Sequence, residues 1–303
     1  MGIFFNIADD AVVGTDPRDL VKDEYKEYFA DAESVQKIYS EICALDMIYS
    51  VARMKNGYYD QRLVLKGGMS VRNHVPLLDH RFSFDADYDP NSVAGYSFGD
   101  VDEIRTDLTR YAGLRRCDVR VDLAKNDDRL LFLELNYRDI LRRIGYTIEE
   151  RPKIELCKRC RIFQAPEENE MATIMNLRLL GLEPLIIKHV GLEEQLASKL
   201  FIIGDLRRGK RNHFDAYDAL RITESNRGLD WKLVRNLFAQ RAEKHAVRGH
   251  VLKTKEHIRE CRRQLDTMKL NANKKSGLAY LVFKRDFDYD AMIERVKALY
   301  DNV

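Results

Sequence analysis

The most constraining feature of this chain is the segment at residues 65–89, which reads LKGGMSVRNHVPLLDHRFSFDADYD. A short apolar run ends in a glycine pair, and a Ser-x-Asp-x-Asp pattern follows. Successive side chains of a strand alternate between its two faces, so a strand here places Ser83, Asp85 and Asp87 on one face. Two ionised carboxylates on one strand face repel each other, and a divalent cation removes that cost. The segment therefore predicts a metal site at Asp85 and Asp87.

A glycine pair, Gly67 and Gly68, stands between the apolar run and the carboxylates. Because glycine has no side chain, a glycine turn exposes backbone N–H groups that can approach a phosphate. The Asp-x-Asp pair and the glycine pair are each weak signals alone. Their order along the chain predicts a site that transfers a nucleotide.

The composition is that of a folded protein. Of the 303 residues, 45% are hydrophobic and 33% are charged, and the net charge is +2, which argues against a disordered chain. No apolar stretch approaches the roughly 20 residues that cross a bilayer, and the first residues lack a basic leader. The five cysteines are scattered, at positions 43, 117, 157, 160 and 261. We expect a cytoplasmic protein with no membrane contact and with reduced thiols.

Hydrophobic periodicity divides the chain into a mixed part and a helical part. In the first part, helices are predicted at residues 17–56 and 101–111, and strands at residues 62–65, 81–88, 117–123, 129–137, 153–163 and 185–188. In the second part, helices are predicted at residues 192–206, 214–222, 231–241, 251–270 and 289–300. The pattern predicts an α+β fold with two domains, at residues 1–190 and 191–303.

Positive charge is concentrated in the predicted helical part. Residues 232–275 contain 13 Lys and Arg against 4 Asp and Glu, a local net charge of +9. Such a stretch favours contact with the phosphates of a nucleic acid, and each contact adds salt-sensitive affinity. A solvated helical face is the alternative interpretation.

Around the glycine pair and the carboxylates, the sequence resembles the nucleotidyltransferase toxins of the AbiE type, a branch of the DNA polymerase β-like superfamily. The family pattern is KGGT-x-L, a spacer and then R-[FY]-S-x-D-[IL]-D. LKGGMS at residues 65–70 and RFSFDAD at residues 81–87 stand in those places. Met69 occupies the usual threonine position, a departure that affects one phosphate contact.

A second stretch supports the resemblance. The family carries a helix of the form E-x-x-x-A-x-K-L, a basic loop and then [KR]-D-x-Y-D. In this chain EEQLASKL at residues 193–200, RRGKR at residues 207–211 and FDAYD at residues 214–218 follow in the same order. Phe214 replaces the basic residue before the first aspartate, which puts a charge contact there in doubt.

Lys199 stands out from helical spacing alone. It falls on the apolar stripe formed by Leu192, Leu196 and Ile203. A lysine there must reach water or bind an anion, because an unpaired buried ammonium is costly. A structural ion pair with a nearby carboxylate is the alternative interpretation of this lysine.

Two aspartates, Asp215 and Asp218, are three residues apart on one predicted helix face. The resemblance implies that Asp215 is catalytic and positions Lys199 or the acceptor hydroxyl. The structural alternative is that both aspartates are tied to Arg207, Arg208 or Arg211 of the preceding loop.

The resemblance implies a polymerase β-like nucleotidyltransferase sheet, mixed and flanked by helices, followed by a helical C-terminal region that contributes Lys199 and Asp215 to the site. The implied catalytic residues are Asp85, Lys199 and Asp215, with one or two Mg²⁺ ions on Asp85 and Asp87. The implied nucleotide-binding residues are Lys66, Gly67, Gly68, Ser83 and Lys199, with support from Asp218, Arg208 and Arg211. A third carboxylate from a neighbouring strand is expected, and Asp122 and Glu134 are the candidates.

The function implied by the resemblance is that of a toxin in a toxin–antitoxin system. Such a toxin moves a nucleotide from an NTP to an RNA acceptor, with the tRNA 3′ end favoured, and has a cognate antitoxin as partner. Two alternatives stay open. One is transfer to a hydroxyl of a protein or a small molecule, and the other is a catalytically silent protein that binds RNA or the antitoxin.

Overall fold

The computed structural model describes residues 4–7, 9–97, 101–117, 121–126, 130–143, 145, 152–157, 161–205, 212–244, 253–283 and 287–303. The chain forms two compact units, of which the first comprises residues 1–73 and 82–190 and the second comprises residues 74–81 and 191–303. Across the described ranges, no helix is long and apolar enough to cross a membrane.

The first unit contains all seven strands found in the described residues, together with five α-helices. The helices are α1 (Asp9–Val12), α2 (Ala32–Arg53), α3 (Gly67–Val71), α4 (Val101–Leu114) and α5 (Tyr137–Arg143), and short 3₁₀ helices lie at Pro17–Leu20, Asp23–Phe29, Met54–Gly57 and Ser92–Ala94. The strands are β1 (Leu63–Lys66), β2 (Ala86–Pro90), β3 (Val121–Asn126), β4 (Leu130–Leu135), β5 (Lys153–Cys157), β6 (Glu167–Glu170) and β7 (Ile186–His189).

The strands form one mixed sheet in the order β3-β4-β5-β2-β1-β7-β6. β2 pairs antiparallel with β1 and parallel with β5, and β1 pairs parallel with β7. One face is buried and apolar, since Leu65, Ala86, Tyr88, Ile154 and Leu133 are all at most 5% exposed. The other face of the central strands carries charged side chains, so the sheet has the one-sided patterning of a half-covered sheet.

Helix α2 is buried along most of its 22 residues. Asp31 caps its first turn by accepting a hydrogen bond from the Ser34 N–H at 2.7 Å. Its burial places it in the core of the first unit, where it packs against β2 and α4. The charged side chains buried in α2, such as Glu41, have partners: the Arg72 guanidinium donates to both of its carboxylate oxygens.

Asp46, also in α2, holds the N-terminal residues on the core. Its buried carboxylate accepts hydrogen bonds from the N–H groups of Phe5 at 3.1 Å and Asn6 at 2.8 Å, and from the Tyr137 hydroxyl at 2.6 Å. Burial raises the pKa of Asp46 to about 6, although these three donors oppose the shift.

The second unit is helical. It contains α6 (Leu192–Ile203), α7 (Asn212–Ser225), α8 (Trp231–Lys244), α9 (Thr254–Lys269), α10 (Ala272–Leu281) and α11 (Tyr289–Leu299). Helix α6 is central, because it packs against α7, α8 and α9. Residues 74–81 join this unit through a β-bridge between Arg81 and Val282 and through a 3.0 Å hydrogen bond from the Tyr217 hydroxyl to the Asp79 carbonyl.

The predicted α+β class is confirmed, and most predicted elements lie within a few residues of their observed bounds. The predicted strand at residues 81–88 begins late, at Ala86. Its partner β1 ends at Lys66, opposite Asp87, where the chain turns into α3, so the residues before Ala86 have no neighbouring strand on that side. Strand β6 is polar and mostly exposed, and the sequence pattern did not predict it or α10.

The cysteines only partly match the prediction of reduced thiols. Cys43, Cys117 and Cys261 are free. Cys157, at the end of β5, is disulfide-bonded, so the prediction is wrong for this residue. Cys160 lies outside the described residues.

The raised pKa of Asp46 predicts a specific pH dependence of stability. The folded carboxyl group binds its proton more tightly than the unfolded one, whose ordinary pKa is 3.8. Protonation of Asp46 therefore stabilises the fold, and this contribution is lost as pH rises through about 6. Between about pH 4 and 7, we expect the free energy of unfolding of the wild type to fall by about 3 kcal/mol relative to that of Asp46→Asn. Urea unfolding followed by circular dichroism measures this difference, and parallel pH profiles for the two proteins would contradict it.

Candidate active site

Three charged residues stand side by side on the polar face of the sheet. Lys66 on β1 is directly opposite Asp87 on β2, and Asp87 is directly opposite Glu155 on β5. Residues paired in this way share a face, and neighbouring strands lie about 4.8 Å apart. Asp87 and Glu155 therefore form a pair of carboxylates set by the register of two strands.

Asp85 joins this pair from the residue just before β2. The Lys153 ammonium lies 3.5 Å from an Asp85 carboxylate oxygen and 4.0 Å from a Glu155 carboxylate oxygen. Ser83 lies further back in the same unpaired stretch and is buried. Asp85, Asp87, Glu155 and Lys153 form what we call the carboxylate cluster.

The backbone of Gly67 lies very close to the Asp87 carboxylate. Gly67 has a φ of +70°, and a Cβ atom added to it would lie 2.0 Å from Asp87 Oδ2. Any other residue would both strain the backbone and collide with the carboxylate. The glycine that the sequence associated with a phosphate is thus also required by the carboxylate on the next strand. Gly68 follows it into the short helix α3 and is buried.

Lys66, predicted to bind the nucleotide, is held by another carboxylate of β2. Its ammonium lies 2.5 Å from Asp89 Oδ1, and Asp89 is buried. The lysine keeps about a fifth of its side chain exposed. It therefore has a partner in the absence of ligand, and its predicted contact with a phosphate stays a prediction.

Glu155, which the sequence reasoning did not consider, lies on the strand next to β2, where a third carboxylate is expected. Glu155 is on the strand next to β2, whereas Glu134 is one strand further away and is opposite Lys153. The Asp122 backbone is opposite Glu134, yet another strand away, and its side chain is outside the described part of the chain. The available signal was the alternation in KIELC, in which the two charged residues stand between apolar ones.

In the second unit, Lys199 meets both aspartates that the sequence singled out. Its ammonium lies 2.8 Å from Asp215 Oδ1 and 2.7 Å from Asp218 Oδ2, and all three side chains are at most 7% exposed. Burial alone would lower the pKa of Lys199, but the two carboxylates outweigh it, and the net shift is upward. Lys199 therefore stays protonated.

Arg81 completes this group from the segment at residues 74–81. Its guanidinium donates to Asp218 Oδ2 at 3.0 Å and lies 4.9 Å from the centre of the Phe214 ring. Phe214, which replaces a basic residue of the family pattern, thus forms a cation–π contact with Arg81. Sequence reasoning assigned no role to Arg81. Lys199, Asp215, Asp218 and Arg81 form the lysine cluster.

Two predicted supporting residues, Arg208 and Arg211, lie outside the described residues, together with Arg207. The suggested ties from them to Asp215 and Asp218 therefore stay predictions. The described partners of the two aspartates are Lys199 and Arg81 instead.

The carboxylate cluster suits a divalent metal ion. Asp85, Asp87 and Glu155 offer carboxylate oxygens, which are the ligands that Mg²⁺ prefers in proteins. Lys153 already places a positive charge beside two of these side chains. By its chemistry this donor set suits the cation that the sequence predicted for Asp85 and Asp87, and the metal site itself stays a prediction.

Comparison with known proteins identifies the family of this chain. A family model described as the nucleotidyl transferase AbiEii toxin of type IV toxin–antitoxin systems matches residues 51–302. No curated protein sequence matches the chain. Among solved structures, MenT4, a nucleotidyltransferase toxin from Mycobacterium tuberculosis H37Rv, has a similar fold, with a TM-score of 0.50 and 18% sequence identity over 93% of this chain and 98% of that one. Because the family model covers most of its length, this chain belongs to the AbiEii family of nucleotidyltransferase toxins.

Proposed function

We propose that this toxin transfers a nucleotide from an NTP to an RNA acceptor, the 3′ end of a tRNA being favoured, and so blocks translation. The observation that carries the proposal is the register of β2 and β5, which pairs Asp87 with Glu155 beside the backbone of Gly67. Carboxylates for a metal ion and a bare backbone for phosphates are the parts that phosphoryl transfer needs.

In the proposed reaction, Asp85, Asp87 and Glu155 hold Mg²⁺. When bound, the metal ion would neutralise charge on the triphosphate and help to activate the attacking hydroxyl. The N–H groups of Gly67 and Gly68, the Ser83 hydroxyl and the Lys66 ammonium bind phosphate oxygens. Lys66 exchanges Asp89 for a phosphate in this step, an exchange between two anions of similar chemistry.

Lys199 neutralises the departing pyrophosphate in this proposal. Its raised pKa suits that role, because the side chain stays an ammonium throughout. Asp215 positions the Lys199 ammonium through their ion pair, and Arg81 holds Asp218 in place. With two cations and two carboxylates, the lysine cluster is balanced before substrate binds.

An RNA acceptor is supported by exposed cations at the start of α9. Lys253, Lys255 and Arg259 are exposed, and within the described ranges none of the three forms an ion pair. Other charges of the basic stretch are paired instead, since Arg241 contacts Glu194 at 2.8 Å and Arg263 contacts Glu260 at 2.7 Å. The surface proposed to contact RNA phosphates is therefore smaller than the charge count suggested.

A cognate antitoxin follows from membership of a toxin–antitoxin family. We propose that the antitoxin restrains this transfer activity in the cytoplasm of the producing cell.

Transfer itself is tested by incubating the protein with each labelled NTP, Mg²⁺ and total RNA. We expect label in a tRNA-sized band with the wild type and at least about a hundredfold less with Asp87→Asn, which removes a metal ligand. Asp139→Asn, an exposed change of the same kind on α5, controls for lost charge. Absence of label on RNA with all four nucleotides would contradict the RNA acceptor, and label on protein would point to a protein hydroxyl.

The identity of the third carboxylate is tested by two glutamates on the same face of the sheet. In the same assay, Glu155→Gln should reduce transfer at least about a hundredfold because it removes a ligand adjacent to Asp87. Glu134→Gln should stay within about twofold of the wild type, since β5 separates it from β2. If Glu134→Gln lost transfer and Glu155→Gln did not, the third carboxylate would be Glu134 and not Glu155.

A double variant distinguishes a role of Lys199 in the transfer reaction from a role in stability alone. Lys199→Met leaves two buried carboxylates short of a cation and should lower the free energy of unfolding by about 3–5 kcal/mol. Adding Asp218→Asn, at a contact of Lys199 that is not proposed to be catalytic, removes one negative charge and should recover much of that stability. We expect transfer to stay low in the double variant. Recovery of both stability and transfer would show that the lysine is only structural.

A further inference from the structure

Lys153 lies against the side chains that we propose as metal ligands. It is on β5, two residues before Glu155, and its ammonium is 3.5 Å from an Asp85 carboxylate oxygen and 4.0 Å from one of Glu155. The ammonium also lies 4.7 Å from the centre of the Phe132 ring on β4. About four-fifths of the lysine side chain is buried.

We propose that Lys153 is a built-in counter-ion of the carboxylate cluster, which a divalent metal ion must displace. This inference rests on the proposed function, because it assigns the metal ion to Asp85, Asp87 and Glu155. In the metal-free protein the ammonium neutralises part of the repulsion among these carboxylates. When the ion binds, two cations compete for the same oxygens, and the lysine swings away.

The side chain of Lys153 is suited to such an exchange. A lysine ammonium is a compact charge on a flexible four-carbon stem, so it can leave without moving the strand. The register of β5 and β2 sets the backbones of Glu155 and Asp87, and their shorter side chains have less reach than the lysine. The exchange therefore changes the counter-ion and leaves the ligand positions in place.

A competing internal cation lowers the affinity of the free protein for a bare metal ion. An ion delivered as a metal–NTP complex brings phosphate charges that offer the displaced ammonium a new partner. Lys153 thus couples metal binding to nucleotide binding, and the free toxin stays largely without metal.

The first test measures binding of Mn²⁺ alone to the full-length protein by electron paramagnetic resonance. Lys153→Met keeps the apolar stem and removes the charge, and we expect it to lower the Kd for Mn²⁺ about tenfold, on the scale of one partly buried charge pair. Lys153→Arg retains a cation and should stay within about twofold of the wild type. An unchanged or higher Kd for Lys153→Met would overturn the inference.

Lys188 provides a matched control. It is on β7 of the same sheet, its side chain is 20% exposed against 18% for Lys153, and it also contacts two carboxylates, Glu168 at 3.2 Å and Asp60 at 3.7 Å. Lys188→Met makes the same change in net charge, and we expect the Kd for Mn²⁺ to stay within about twofold of the wild type. If both methionine variants tighten binding equally, the effect is one of general charge, and the inference is wrong.

A second test uses only the wild-type protein, so it does not depend on the folding of a variant. Lysines are acetylated with a limiting amine-reactive reagent, with and without Mg²⁺, and quantified by mass spectrometry of peptides. We expect Mg²⁺ to speed the labelling of Lys153 but not of Lys188. Unchanged or slower labelling of Lys153 under saturating Mg²⁺ would show that the ammonium is not displaced.

The same experiments distinguish this inference from the proposed function. Asp87→Asn should weaken Mn²⁺ binding whether or not Lys153 competes with the ion. Loss of Mn²⁺ binding in Asp87→Asn, together with an unchanged Kd in Lys153→Met, overturns the counter-ion role and leaves the proposed transfer reaction standing. Equal Mn²⁺ binding by Asp87→Asn and the wild type overturns both.

Discussion

The lateral register of β1, β2 and β5 is the constraint on which the rest of the structure depends. It sets Lys66, Asp87 and Glu155 in one row and puts the apolar side chains of the same strands into the core. A slip of one residue would exchange the two faces, burying the carboxylates and exposing Ile154 and Ala86. The apolar core therefore fixes the positions of the charged groups.

Several of the charged candidate residues have a counter-ion within the protein. Asp89 holds Lys66, Lys153 faces Asp85 and Glu155, and Asp215 and Asp218 hold Lys199. Largely buried charges are tolerable only when they are paired, so this arrangement lets the protein fold before it meets metal or nucleotide. In the proposed reaction, these internal partners are exchanged for groups of the substrate, which is easier than ordering charges that were solvated.

Features that depend on local sequence could be predicted. The glycine pair after β1, the apolar periodicity of α6 and the position of Lys199 on its buried stripe all follow from spacing along the chain. The resemblance added Asp215 and the order of the two motifs. These predictions needed no knowledge of which strand lies beside which.

Features that depend on strand order and on long-range contacts could not be predicted. Glu155 comes 68 positions after Asp87 in the sequence and lies beside it only because β5 pairs with β2. Asp122 and Glu134 appeared equally suitable because β3 and β4 also carry acidic residues. Arg81 was read only as part of a motif, yet it packs with Phe214 and Asp218 of a distant helix.

The central claim is that Asp85, Asp87 and Glu155 form one metal site. Anomalous diffraction from Mn²⁺, in crystals of the full chain grown with a non-hydrolysable NTP analogue, tests it most directly. The account predicts a manganese peak within coordination distance of carboxylate oxygens of all three side chains, with analogue phosphates on the same ion. A bound analogue whose manganese lies elsewhere, or touches none of the three carboxylates, would contradict it.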